Sequence, residues 1–330
     1  MLTSLTRRAA LALASASVLA TRNARSAERP LRIANNQGKN TPYGVGCRAF
    51  AQAINADPIL SGLLRPDIYD DAELGEEQSS LRSCMRGTIE IACVSSGILG
   101  TVLPLIGLLD LPFLFRDAAT ARAMLDGEIG IELTNQLATK GINIIAWGEN
   151  GVRQMTANKP IRQPADMVGL KLRVPNIEAE ILGFRGLGAE PRPLAFTLLY
   201  EALRTGEFDA QENPVANIEA GRLYEVQKYL SRTGHIYSAA VFLASADLLS
   251  DLTDEQRAAL RRCARVGALA SRDFAQNAEH EGLARLRAKG MTIIEDVDLA
   301  AFIAAAKPNL LEIGKKLAPD LMARLIQAGG

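Results

Sequence analysis

The 330 residues include 48% apolar, 22% charged and 5% aromatic side chains, the composition of a globular chain able to bury a core rather than of a disordered or collagen-like one. Basic and acidic residues number 37 each, so no net field singles out nucleic acid or an anionic membrane as a partner. The length suits about two domains.

Arg7 and Arg8 precede an apolar stretch from Ala9 to Ala20, and no acidic residue occurs before Glu28. This reads as an export signal over 1–27, because the stretch is too short to span a bilayer. The run LTRRAALAL is compatible with a twin-arginine signal but lacks an aromatic residue after the arginines, so ordinary secretion stays open. Small-residue cleavage pairs occur at Val18 and Ala20 and at Ala24 and Ser26, whereas a cut after Ala27 places bulky Arg25 where a small side chain is wanted. Removing 1–27 takes away Arg7, Arg8, Arg22 and Arg25, and 33 basic against 37 acidic residues give the mature chain a charge of −4. No later segment offers about 18 consecutive apolar residues, so nothing after the signal is expected to cross a membrane.

In chain order, a strand is expected over Leu31–Ala34, then a helix capped by Thr41 with Pro42 at its first position. A strand at Pro66–Tyr69, a helix over Glu76–Met85 and a strand at Thr88–Val94 continue an alternating α/β pattern. Asp117 caps a helix to about Leu125; another runs from Ile129 to Thr139, and Gly141 stops it before a strand at Ile142–Trp147. The proline-rich, polar stretch Asn150–Asn176, with two short strands, marks a domain crossing. In Leu170–Val174 the apolar residues alternate with Lys171 and Arg173, which share the other face. A helix from about Ile177 to Phe184, a strand at Glu190–Arg192 and a helix over Thr197–Thr205 follow. Thr253 and Gln256 form a capping box, and no proline interrupts the chain from there to Gly290, so an unbroken helix would be on the order of 55 Å long and would pack along both domains.

Catalytic patterns are scarce. His280 reads as a surface residue, and no nucleophile elbow, zinc pair or Walker loop occurs. Export permits disulfides, but Cys47, Cys84, Cys93 and Cys263 are too few to be a scaffold. Cys263 falls on an apolar helical stripe with Leu260, Val266, Ala270 and Phe274, as a buried thiol would. Gly44, Gly46 and Ala49 spell the dinucleotide pattern GxGxxA, yet Pro42 has already begun the helix, which points to helix packing instead. Arg153 and Arg173 lie on strands beside the expected crossing, and Asn213 precedes Pro214. Each has an ordinary structural explanation, surface ion pairing for the arginines and helix capping for Asn213. Two guanidinium forks meeting in one cleft would, however, grip a carboxylate through paired donors.

At these residues the chain closely resembles the solute-binding proteins of TRAP transporters. The matching runs are LDLPFLF (Leu109–Phe115), NGVRQMT (Asn150–Thr156), KPIRQPADMVGLKLRVPN (Lys159–Asn176), GAEPRPLAF (Gly188–Phe196), FDAQENP (Phe208–Pro214) and YEVQKYL (Tyr224–Leu230). The resemblance implies an α/β, two-domain periplasmic-binding-protein fold with hinge strands and a long C-terminal helix spanning both domains. Residues 28–150 with about 237–275 would form one domain, 151–236 with about 276–305 the second, and 306–330 would pack back on the first. It implies a periplasmic binding protein, acting as a monomer, that closes on an organic acid and delivers it to membrane permease subunits, with no catalysis, cofactor, metal or nucleic acid.

By the same resemblance Arg173 pairs with the substrate carboxylate, Arg153 is a second cleft cation, Asn213 hydrogen-bonds the ligand and Phe196 lines the pocket. Asn35 or Asn36, and Ser95 in the turn after a strand, face the ligand from the other domain. Sialic-acid-binding relatives have acidic groups where this chain has Leu198 and Val94 or Ser95, which favours a smaller or less hydroxylated carboxylate. Two other readings use the same features: a sensor whose closed form is read by a signalling receptor, and an exported nicotinamide-dependent oxidoreductase.

Overall fold

The computed structural model describes residues 28–329, so the expected export signal lies outside the described residues. The chain opens with β1 (Arg29–Ala34), α1 (Pro42–Ala56), β2 (Leu64–Tyr69), α2 (Glu77–Met85) and β3 (Ile91–Ser95). Thr41 caps α1 by accepting from the Gly44 amide, with Pro42 in the first turn, and Asp117 caps α3 (Ala118–Asp126) by accepting from Thr120. After α4 (Glu128–Ala138) comes β4 (Asn143–Ala157), then β5 (Lys171–Val174), α5 (Glu178–Gly186), β6 (Glu190–Pro193), α6 (Phe196–Arg204), β7 (Ala210–Pro214) and α7 (Val215–Ala220). The chain ends with β8 (Tyr229–Ala244), α8 (Ala246–Asp251), α9 (Asp254–Ala288), β9 (Thr292–Ile294), α10 (Leu299–Leu317) and α11 (Pro319–Gly329).

The strands form one mixed sheet in the order β2-β1-β3-β8-β4-β7-β5-β6, with β9 beside β8. Its centre is the antiparallel pair of long strands β4 and β8, whose register shifts beside Glu149 and Arg153. The C-terminal half of β8 pairs with β3 (Ala240–Ala244), while its start pairs with β9 (Tyr229–Ser231). The last residues of β4 pair with β7. The same two strands therefore belong to the parallel β1-β2-β3 side and to the β5-β6-β7 side.

Two expectations need correction here. Arg153 does not lie on a short strand after a break at Asn150: β4 runs 15 residues without interruption through that point. Asn213 is not a helix cap, because QENP is the strand β7 and Pro214 precedes the first residue of α7. In both segments the polar residues are buried, which erases the apolar alternation that reveals a strand.

The helix α9 has the expected capping box and spans 35 residues. Its first half joins a core cluster through Leu260, Cys263, Ala264 and Ala268, and its second half joins another through Leu283 and Leu286. The buried stripe differs from the expected one: Val266 is 48% exposed, and Gly267, Ala268, Ser271 and Ala275 face inward instead. Small residues are needed there because α1 crosses closely. A Cβ on Gly267 would fall 2.6 Å from the Gly46 carbonyl oxygen and 2.8 Å from the Phe50 Cβ.

Gly46 is thus a packing glycine inside α1, and Gly44 lies against the Gly38 and Lys39 backbone, so GxGxxA forms no phosphate-binding turn. Gly267→Ala should lower stability by about 1–3 kcal/mol, since overpacking outweighs the gain in helix propensity of at most about 1 kcal/mol. Urea unfolding measures this; a variant as stable as the parent would show that the helix crossing can relax.

All four cysteines are buried free thiols, and burial pushes Cys84 up to about 12. His280 is exposed, as expected. The terminal helix α11 contributes Leu321, Met322 and Leu325 to the cluster that contains α3 and α4.

Candidate functional site

A cleft of about 360 Å³ opens beside the central strands. Its walls come from the loop after β1, the first turn of α2, the end of β3, the middle of β4, the end of β5, the turn before α6, and β7. Six of the seven expected residues line it: Asn36, Ser95, Arg153, Arg173, Phe196 and Asn213. Asn35 does not. Its Nδ2 donates to Asp70 Oδ1 at 2.9 Å and its Oδ1 accepts from the Gln37 amide at 2.9 Å, so both ends of the side chain hold the loop together.

The two arginines differ in state. Arg153 is clamped by Glu212: Nε and Nη2 both donate to its carboxylate, Nη2 at 2.7 Å to Oε1, and Nη2 also reaches the Glu212 carbonyl at 2.9 Å. The expected grip of two free forks is therefore reduced, because most of the Arg153 fork is engaged and no described protein acceptor meets its Nη1. Arg173, only 3% exposed, donates from Nε and Nη2 to the Leu194 carbonyl at 2.8 and 2.5 Å. It has no carboxylate within ion-pair distance among the described residues. Burial, with Arg153 adding repulsion, lowers it to about 10 despite the pull of Glu212.

Behind the arginines lies a buried acidic layer. Burial alone would raise Glu212, but Arg153 and a hydrogen bond with His235 Nε2 at 3.3 Å hold it down at about 2. Burial lowers His235, whose Nδ1 lies 2.7 Å from Thr233 Oγ1. Glu180 is fully buried with both oxygens unpaired, and burial followed by repulsion from Glu212 pushes it well above the usual carboxylate range. Burial raises Asp110 to about 7, with Arg153 opposing. Burial thus favours the uncharged form of Glu180, while Arg153 favours the charged form of Glu212.

The sequence did not disclose the opposite wall. Glu76 at the N-cap of α2 accepts from Thr197 Oγ1 on α6 and from Asn36 Nδ2 at 3.1 Å, tying the two sides of the cleft together. Glu77 accepts from the Ser95 amide (2.8 Å), the Ser95 hydroxyl (3.1 Å) and Tyr43 (3.0 Å), so Ser95 meets the cleft with its hydroxyl already engaged. Gln37, Gln78 and Asn150 add amides. The buried Oδ1 of Asn36 and Oε1 of Gln37 accept from no described donor. The acidic run GEEQ at the start of a helix was the available signal, but acidic first turns are common for reasons of helix dipole alone. Leu198 is 56% exposed and Val94 is a core residue, so neither position reports on the ligand.

A cleft with a buried, unpaired guanidinium and a ring of amides, spanned by two long shared strands, defines a solute-binding protein that encloses a small organic acid. Residues 33–317 match the family model of bacterial extracellular solute-binding protein, family 7. The 2,3-diketo-L-gulonate-binding periplasmic protein of Escherichia coli is 33% identical over 260 residues, 78% of this chain and 79% of that one. A TRAP periplasmic solute-binding protein from Bordetella bronchispeptica, with density assigned to pantoate, superposes with a TM-score of 0.87 at 36% identity, covering 91% of this chain and 99% of that one. One from Polaromonas, bound to D-erythronate, has a TM-score of 0.87 at 33% identity, covering 91% and 98%. The chain belongs to this family: it is a periplasmic binding protein of the TRAP transport system, which captures its solute and does not transform it.

Proposed function

We propose that the solute is a short hydroxylated monocarboxylate, of the size of a four- to six-carbon aldonic acid, held with its carboxylate on Arg173 and the free Nη1 of Arg153. The observation that carries this is the charge count of the cleft. Glu212 neutralises Arg153, so among the described residues that line the cleft Arg173 is the one cation left without a counter-ion, and it matches one carboxylate. At the other end Glu76 would repel a second carboxylate, whereas Glu76, Asn36, Gln37 and Asn150 can bond hydroxyls. The amide-rich wall revises the expectation of few hydroxyls and keeps that of small size. Pantoate, D-erythronate and 2,3-diketo-L-gulonate, named for the three relatives, are all hydroxylated monocarboxylates.

In this reading Asn213 and Phe196 also touch the solute, and Ser95 acts through Glu77. The chain works as a monomer of two lobes, 28–150 with 237–275 and 151–236 with 276–305, with 306–330 packed back on the first. Closure of the lobes, stabilised by contacts that the solute makes only when both walls meet, presents it to the permease subunits. A thermal-shift panel tests the substrate class. D-erythronate, pantoate and galactonate should include a strong ligand, with about 2.7 kcal/mol of stabilisation at 100 times its dissociation constant. Succinate should bind at least about 100-fold more weakly; succinate binding as tightly as the best hydroxy acid would refute the charge count.

A further inference from the structure

A second, larger cavity of about 650 Å³ lies on the opposite side of the central strands. Arg153 faces the solute cleft, whereas its neighbours Val152 and Gln154 line this second space, as the alternation of side chains along β4 requires. Its depth is apolar, walled by Phe113, Phe115, Tyr237 and Leu310, with Phe115 and Tyr237 packed edge to face at 6.1 Å. Ile303, Leu311, Leu299 and Ile326 are 49%, 42%, 43% and 40% exposed and line the same space, although most large aliphatic side chains among the described residues are buried.

The cations of this cavity are not equivalent. Arg232 pairs with Glu295 at 2.8 Å and Arg116 with Asp117 at 3.2 Å, while the exposed Lys307 makes no ion pair among the described residues. Glu279 is bonded to Gln154 Nε2 at 3.0 Å on the strand floor, and burial holds it up at about 7. A deep apolar space with one unpaired cation among its lining residues has the chemistry of a site for an amphipathic anion: the apolar body fills the interior and the acid group meets the ammonium.

We propose that this cavity is a second binding site, for an amphipathic monocarboxylate with an unbranched or aromatic apolar body, distinct from the solute cleft. The tail displaces water from Phe113, Phe115 and Leu310, and the carboxylate lies against Lys307. The solute in the cleft plays no part in this, so the proposal stands or falls independently of which acid the cleft takes.

Isothermal titration at pH 6, where Glu279 is mainly protonated, with octanoate and decanoate below their micellar concentrations, tests it. One molecule should bind per chain, and affinity should rise about threefold to fourfold for each added methylene. Ile303→Glu and Lys307→Glu change exposed side chains, so the fold should be kept; circular dichroism and melting temperature verify this. Each variant should weaken decanoate binding at least tenfold, and Arg173→Ala, which lies in the other cleft, should leave it unchanged. Absence of saturable binding, indifference to Ile303→Glu, or loss in Arg173→Ala would overturn the second site. Decanol binding as tightly as decanoate, with no effect of Lys307→Glu, would overturn the assignment of an anionic ligand.

Discussion

Replacing Arg173 by leucine is expected to weaken solute binding by roughly 30-fold or more while leaving the unliganded protein about as stable as before. The two halves of this expectation have one cause. Arg173 is 3% exposed and has no carboxylate partner among the described residues, so the empty protein bears a desolvated charge that water would otherwise stabilise. Its fall from the ordinary guanidinium value to about 10 has a definite sign for stability. Between these values the unfolded chain holds the extra proton, so stability rises with pH in that window, and at neutral pH the charged group subtracts on the order of 3 kcal/mol.

Leucine removes that penalty but leaves the Leu194 carbonyl without its two donors, which costs about 1–3 kcal/mol. The two effects nearly offset each other. Binding has no such compensation. A carboxylate that loses a buried guanidinium partner loses about 2–5 kcal/mol, or roughly 30-fold to several-thousand-fold in affinity. Titration with D-erythronate, or with the best ligand of the panel, gives the second quantity and thermal melts give the first. Arg173→Lys should fall between, since it keeps the charge and loses the fork. Affinity within threefold of the parent in Arg173→Leu would remove Arg173 from the site.

The same residue shows what the sequence could and could not disclose. Alternation in Leu170–Val174 already separates Arg173 from the apolar face, and the helix caps at Thr41, Asp117 and Thr253 are local signals that the structure places where the pattern put them. Local rules work where a segment obeys its own period. They fail on β4 and β8, because these central strands bury polar residues, Glu149, Asn150, Arg153 and Gln154 on one and Thr233, His235 and Ser238 on the other, and so lose their apolar alternation. Pairing is also invisible locally. Arg153 could be read as a cation, but its engagement by Glu212, 59 residues away, is a tertiary fact that changes how much of it a ligand can use.

That engagement yields the second large effect. Glu212→Gln should destabilise the protein by about 3–5 kcal/mol, because it strands Arg153 as a buried charge and weakens the bond to His235. In a chain of this size the melting temperature should fall by roughly ten degrees. Asp110→Asn, in the same buried layer, should act in the opposite direction.

The pH dependence separates the two. Glu212 titrates at about 2 in the folded state, below its ordinary value of 4.5, so its contribution is present above 4.5 and is lost as pH falls toward 2. Asp110 titrates at about 7, above its ordinary 3.8, so folding binds a proton in that interval and stability declines as pH rises from about 4 to 7. The asparagine variant should therefore gain up to a few kcal/mol over the parent at pH 8 and little or nothing at pH 4. Glu212→Gln should lose most at pH 7, with its deficit shrinking as the parent is acidified below 4.5. Melts of the three proteins at pH 4, 5.5, 7 and 8.5 measure both slopes. A uniform effect of Asp110→Asn at every pH would mean that the Asp110 carboxyl does not titrate against folding and that Arg153 has a second buried anion beside Glu212.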